Sequence, residues 1–164
     1  MYFVYQRKCE VHTSRMFTTI AGIPAHPMFV HFAVAFAPVA ALLIIWWALR
    51  STSRGFQILT AVSGVIGFIA TIVSRSSGEE LLAMQGLSES SPGPLADHLL
   101  YANFMLGGEL VMLGAFFGYM LLRRFVDNRA LRIILRVLGV IGALVVIVFT
   151  VLTGHAGAVQ AWSN

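Results

Sequence analysis

The sequence predicts an all-α fold: an integral membrane four-helix bundle of antiparallel up-down hairpins. Three observations lead there. Of 164 residues, 58% are hydrophobic and only 11% are charged. A soluble domain carries roughly 25% charged residues, so this chain has too little charge to cover a water-facing surface. Four stretches reach the roughly 20 mostly apolar residues that a helix needs to cross a bilayer. The polar/apolar alternation of a membrane barrel is absent, and unpaired backbone groups are costly in lipid, which leaves helices. The single cysteine, Cys9, excludes a disulfide-stapled secreted module. The net charge of +4 sits on basic residues between apolar runs. It therefore speaks for membrane topology and against a nucleic-acid partner.

Taken in order, residues 1–22 read as a leader, with Met16 an alternative start, and residues 23–164 as the four-span membrane domain. The spans are expected at about Met28 to Leu49, Phe56 to Val73, Leu99 to Leu122 and Leu131 to Leu152. Short joints at Arg50–Gly55 and Arg123–Ala130 make each pair of spans a hairpin. The long connection Ser74–Asp97 contains LLAMQGL, a candidate interfacial helix, and SESSPGP, a turn-rich connector. Gly107, Gly114 and Gly118 share one side of the third span, a small-residue face suited to close helix approach. Arg54 precedes GVIG (Gly64 to Gly67) by the spacing at which Arg129 precedes its own GVIG (Gly139 to Gly142). Each copy runs on to a glycine near the helix end, Gly78 and Gly154. This suggests two hairpins that are parallel repeats about an axis normal to the membrane.

Charge orients the bundle. Arg50, Arg54, Arg123, Arg124, Arg129 and Arg132 gather at one end, with Arg136 just inside the fourth span. The positive-inside rule places that end in the cytoplasm and the long loop and both termini outside. The other end has Arg75 and, in the leader, Arg7, Lys8 and Arg15, which oppose this; a start at Met16 would remove the three leader charges.

The same threading gathers four histidines at the outer end. His26 and His31 enter the first span, His98 enters the third, and His155 follows the fourth. Glu79, Glu80, Glu89 and Asp97 share that side. His31, a turn inside its helix, needs a polar partner at that depth. If sequence neighbours are spatial neighbours, the first and third helices are diagonal. His31 and His98 then face each other across the axis, as the two axial ligands of a b-type haem do. Phe29, Phe32, Phe36 and Phe104 are available to pack on the macrocycle. His31 with His155, and His26 with His155, are competing pairs, and capping or headgroup roles are the plainer reading of each histidine. With Pro27 at the first helical position, His26 is also an N-cap candidate. His155, in the Gly-rich exit TGHAG, suits a supporting role.

Glu109 is the only acid deep within a span. Eleven residues after His98, it returns nearly to the same helical face, with Tyr101, Met105 and Met112 close by. A carboxyl at that depth requires protonation or a partner. No basic residue at mid-depth offers itself. Phosphate loops, CxxC, CxxCH and HExxH motifs are absent.

At HPMFVHF (His26 to Phe32) the chain resembles a bacterial four-span membrane family, domain of unknown function 2231. Its members open with an HPxxVHF-like word, start the third span near a histidine (here His98), and end the fourth in a TGHxGG-like word (here TGHAG, Thr153 to Gly157). The resemblance covers roughly Ile23 to Trp162. Ala33 stands where a proline is common, and TGHAGA replaces the double glycine. Some relatives are joined to iron–sulfur redox domains, so the resemblance implies electron transfer in a bacterial inner membrane. The expectation is thus a haem-binding electron carrier, part of a larger redox complex, more than a stand-alone enzyme. A cofactor-free accessory subunit and a metal or proton handler using the histidine/carboxylate end and Glu109 are the alternatives.

Overall fold

The computed structural model describes residues 19–20 and 23–162. Most of the expected leader, with Cys9, Arg7, Lys8, Arg15 and Met16, lies outside the described residues. A two-residue antiparallel pairing of Thr19–Ile20 with Ile23–Pro24 leads into four helices. These are α1 (Ala25–Leu49), α2 (Arg54–Met84), α3 (Ala96–Leu122) and α4 (Arg129–Trp162). All four are long and apolar enough to cross a membrane. A large share of their leucine, isoleucine, valine and phenylalanine side chains face outward, as a lipid solvent requires.

Pro27 lies in the first turn of α1, where its missing N–H would have no helical partner. Pro38 lies inside α1, a position that membrane helices tolerate. Ser53 caps α2 by accepting from the Phe56 N–H at 3.3 Å. Asn128 does the same for α4 through the Leu131 N–H at 3.1 Å.

Two helices outrun their expected ends. α2 continues eleven residues past Val73, so LLAM is its last turn and not a separate interfacial helix. It stops at Gly86, whose φ of +73° suits a residue without a Cβ. SESSPGP is the connector expected, with paired Ser88 and Ser91 and a short 3₁₀ turn at Gly93–Leu95. α4 passes straight through TGHAG to Trp162. At 1.5 Å per residue α2 and α4 are about 46 and 51 Å long, against a hydrocarbon core of about 30 Å. Both are therefore longer than the apolar layer is thick.

α1 packs on α2 and on α4, and α3 packs on α4, while α2 and α3 meet sparingly and α1 and α3 hardly at all. The first and third helices are thus diagonal, as the simple up-down order requires. Each hairpin closes at a glycine. A Cβ on Gly67 would come within 2.9 Å of the Ala37 backbone nitrogen, and one on Gly142 within 2.6 Å of the Met112 backbone nitrogen. Gly142 follows Gly67 by the same number of residues as Met112 follows Ala37, so the two hairpins cross at equivalent points. The last glycine of each GVIG word is thus the crossing point of its hairpin.

The third-span glycines behave otherwise than expected. Gly107 and Gly114 have nothing within 4 Å of a Cβ position, and Gly118 only Leu135 at 3.8 Å. Gly108, one residue round the helix, makes the close approach, against the Gly142 carbonyl and Val145. A 100° step per residue decides which glycine meets α4.

At the basic end an aromatic layer closes the bundle. Trp47 meets Phe116 and Tyr119 edge-on, both with centroids 5.0 Å apart. The Arg136 guanidinium lies over the Tyr119 and Trp47 rings and donates to the Tyr119 hydroxyl at 3.1 Å.

Candidate functional site at the histidine-bearing end

Of the four histidines, the fold turns two inward and two outward. His26 is half-buried, and its Nδ1 lies 2.8 Å from the Ser74 carbonyl oxygen of α2. His98 is half-buried too, with Nδ1 3.0 Å from the Thr153 carbonyl oxygen of α4. A carbonyl only accepts, so in both rings Nδ1 carries the hydrogen and Nε2 keeps a lone pair.

The two stations are built alike. Four residues beyond each accepting carbonyl stands a glycine that makes room for the ring. A Cβ on Gly78 would sit 3.1 Å from Cε1 of His26, and one on Gly157 3.2 Å from Nδ1 of His98. His26, Ser74 and Gly78 in the first hairpin correspond to His98, Thr153 and Gly157 in the second. The second station lies one helical turn further from its glycine crossing. Gly154, the counterpart expected from the sequence, faces open space.

His26 and His98 are close enough to interact electrostatically. His26 lies within the first turn of α1, so it is not an N-cap, and its ring reaches across the hairpin. His31 is exposed, and its Nδ1 donates to the Pro27 carbonyl of its own helix. Five residues on a helix is 500°, or 140° round from His26, which turns His31 away from the axis and from His98. His155 is exposed on α4. Of the phenylalanines, Phe32 stacks on Phe36, and Phe104 on Phe149 of α4 with centroids 4.8 Å apart.

Two buried side-chain oxygens toward this end have no partner: Oγ1 of Thr153, the residue whose carbonyl holds His98, and Oε2 of Glu80, two residues beyond Gly78. Such atoms are costly to leave unpaired. Arg75 ties the rim together, pairing with Glu79 at 3.0 Å, with Glu89 of the connector and with Asn103 of α3. Among the described residues no group of three or more His, Cys, Asp or Glu side chains converges. A tetrahedral ion site from side chains alone is therefore not formed there.

Glu109 is fully buried, and its partner is one the sequence reading passed over: Thr71 of α2, whose hydroxyl donates to Oε1 at 3.1 Å. The signal was present, since Thr60, Ser63, Thr71, Ser74 and Ser77 recur at helical spacing on one face of α2, and all are buried.

No curated protein and no solved structure matches the chain. A family model described as "Predicted membrane protein (DUF2231)" matches residues 22–164, and the protein belongs to that family.

Proposed function

We propose that the protein is a haem-binding electron carrier of the bacterial inner membrane, working as a subunit or partner of a larger redox complex, with His26 and His98 as the axial ligands. One observation carries this reading: both inward imidazoles donate Nδ1–H to a backbone carbonyl and keep Nε2 free. Ligating histidines are typically held in this way, because the carbonyl fixes the tautomer and the ring orientation and raises the basicity of the ligating nitrogen. The rings come from diagonal helices at one end of the bundle, the placement two axial ligands need. His26 replaces His31 in the pair expected from sequence, because His31 faces outward. When bound, haem supplies one-electron chemistry, and the protein contributes ligands, burial and hydrogen bonds.

The test is the visible spectrum of protein purified after expression with haem supplied. The dithionite-reduced form should show the sharp split bands of six-coordinate low-spin haem. A folded protein with no Soret band would end this reading, and a cofactor-free accessory subunit would take its place.

The positive-inside rule places the arginine loops in the cytoplasm and the histidine end outside. Reporter fusions at Asn128 and at the C-terminus should report cytoplasm and exterior respectively. A cytoplasmic signal from the C-terminal fusion would reverse the orientation and leave the fold unchanged.

A further inference from the structure

We infer that Glu109 is a proton-binding site at mid-membrane that exchanges with the histidine-bearing end alone, through the hydroxyls of Thr71, Ser74 and Ser77. The inference stands apart from the haem reading and needs no cofactor.

Glu109 is the one charged residue among the buried polar side chains of the described residues. Its Oε1 is held by Thr71, while Oε2 is buried and has no partner. From Thr71 toward the histidine end, Ser74 and Ser77 follow at intervals of three on the same buried face of α2. The Ser77 hydroxyl donates to the Ser74 carbonyl at 2.9 Å and lies 3.3 Å from Nδ1 of His26, which is half-buried at the rim. Successive hydroxyls one turn apart are about 5 Å from each other, a gap that one bridging water spans.

In the other direction the way is closed. Leu113, one turn further along α3, fills the gap at Gly64, where a Cβ would meet its Cδ2 at 2.5 Å. Gly67 lies against the α1 backbone at Ala37. Ile44, Trp47 and Phe116 are buried behind them. The remaining buried hydroxyls of α2, Ser63 and Thr60, lie beyond this plug, and Thr60 donates back to its own helix at Phe56.

The buried residues that surround this region bring no second titratable group. α1 contributes Ala33 and Ala37, α4 contributes Val146 and Thr150, and α3 itself adds Met105 and Met112. Along the helices the nearest charged or titratable groups are Arg75, paired with Glu79 and Glu89 at the rim, Tyr101 about two turns from Glu109 on α3 and packed on Phe149, and Tyr119 and His98 about three turns away in opposite directions. The step is proton transfer alone. The carboxyl O–H of Glu109 breaks, a bridging water takes the proton, and the hydroxyl file passes it outward. The reverse sequence reloads the site.

The test uses the full chain in phosphatidylethanolamine/phosphatidylglycerol vesicles captured by a C-terminal tag, which selects molecules with the histidine end outward. Glu109→Gln identifies the carboxyl C=O infrared band, and a pH step is applied outside. The wild-type band should follow the external step. In the Thr71→Val/Ser77→Ala protein the response should slow by about tenfold, the rate consequence of losing hydrogen-bond partners on the path. Thr71→Ser, which keeps the hydroxyl, should respond as fast as the wild type. A band that ignores the external step, or one that follows it equally fast in the double variant, would overturn the inference. The visible spectrum, recorded separately on the same samples, reports on the haem reading independently.

Discussion

His26→Ala and His98→Ala are each expected to abolish the low-spin spectrum of the reduced protein, while His31→Ala and His155→Ala leave it in place. The loss is all-or-none, because removing one axial imidazole leaves the iron five-coordinate or empties the site. The pattern discriminates sharply. A His31/His98 pair would make His31→Ala destructive and His26→Ala mild, whereas the structure places His31 on the outer surface, bonded to its own helix. The rings also fill the spaces at Gly78 and Gly157, so an alanine variant that loses haem through local collapse must be separated from one that loses a ligand. His26→Met and His98→Met make that separation. A thioether still ligates iron, and His/Met coordination raises the reduction potential. A retained low-spin spectrum with a raised potential supports ligation. Normal haem spectra in both His26→Ala and His98→Ala would eliminate this pair.

The second large effect is expected at the hairpin crossings. Gly142→Ala puts a methyl 2.6 Å from the Met112 nitrogen and 2.8 Å from the Gly108 carbonyl oxygen, and these are backbone atoms that cannot swing aside. Overpacking of this kind costs about 1–3 kcal/mol, and Gly142→Leu should separate α3 from α4 outright. Gly67→Ala should behave similarly, since its methyl would come within 2.9 Å of the Ala37 backbone nitrogen. Gly107→Ala and Gly114→Ala face open space and should be neutral or slightly stabilising, since alanine favours helix over glycine by about 1 kcal/mol. Unfolding in mixed micelles titrated with dodecyl sulfate measures all five. Equal stability of Gly142→Ala and Gly107→Ala would refute the assigned crossing.

These comparisons also separate what each level of the molecule decides. The four spans, the two short hairpin joints and the gathering of most arginines at the end opposite the histidines are properties of composition and periodicity. A bilayer imposes them on any chain with these apolar lengths, so they were legible in the residues alone. The GVIG repeat was legible too, as spacing. What it does, holding two helix pairs at backbone contact, depends on the rotation of each helix, and sequence spacing does not fix that. The same rotation explains the histidines. Which of His26 and His31 faces the interior is a difference of 140° on one helix, set by how Ala33, Ala37, Ala40 and Ala41 bury. The ends of α2 and α4 were underestimated because Ser, Gly and Glu past residue 73 and TGHAG past residue 152 read locally as loop. Packing across each hairpin, with a histidine ring seated over Gly78 or Gly157, outweighs that local preference. Glu109 announced itself by its depth. Its partner did not, because a hydrogen bond between Thr71 and Glu109 joins two helices separated by a long connector, and only their packing brings them together.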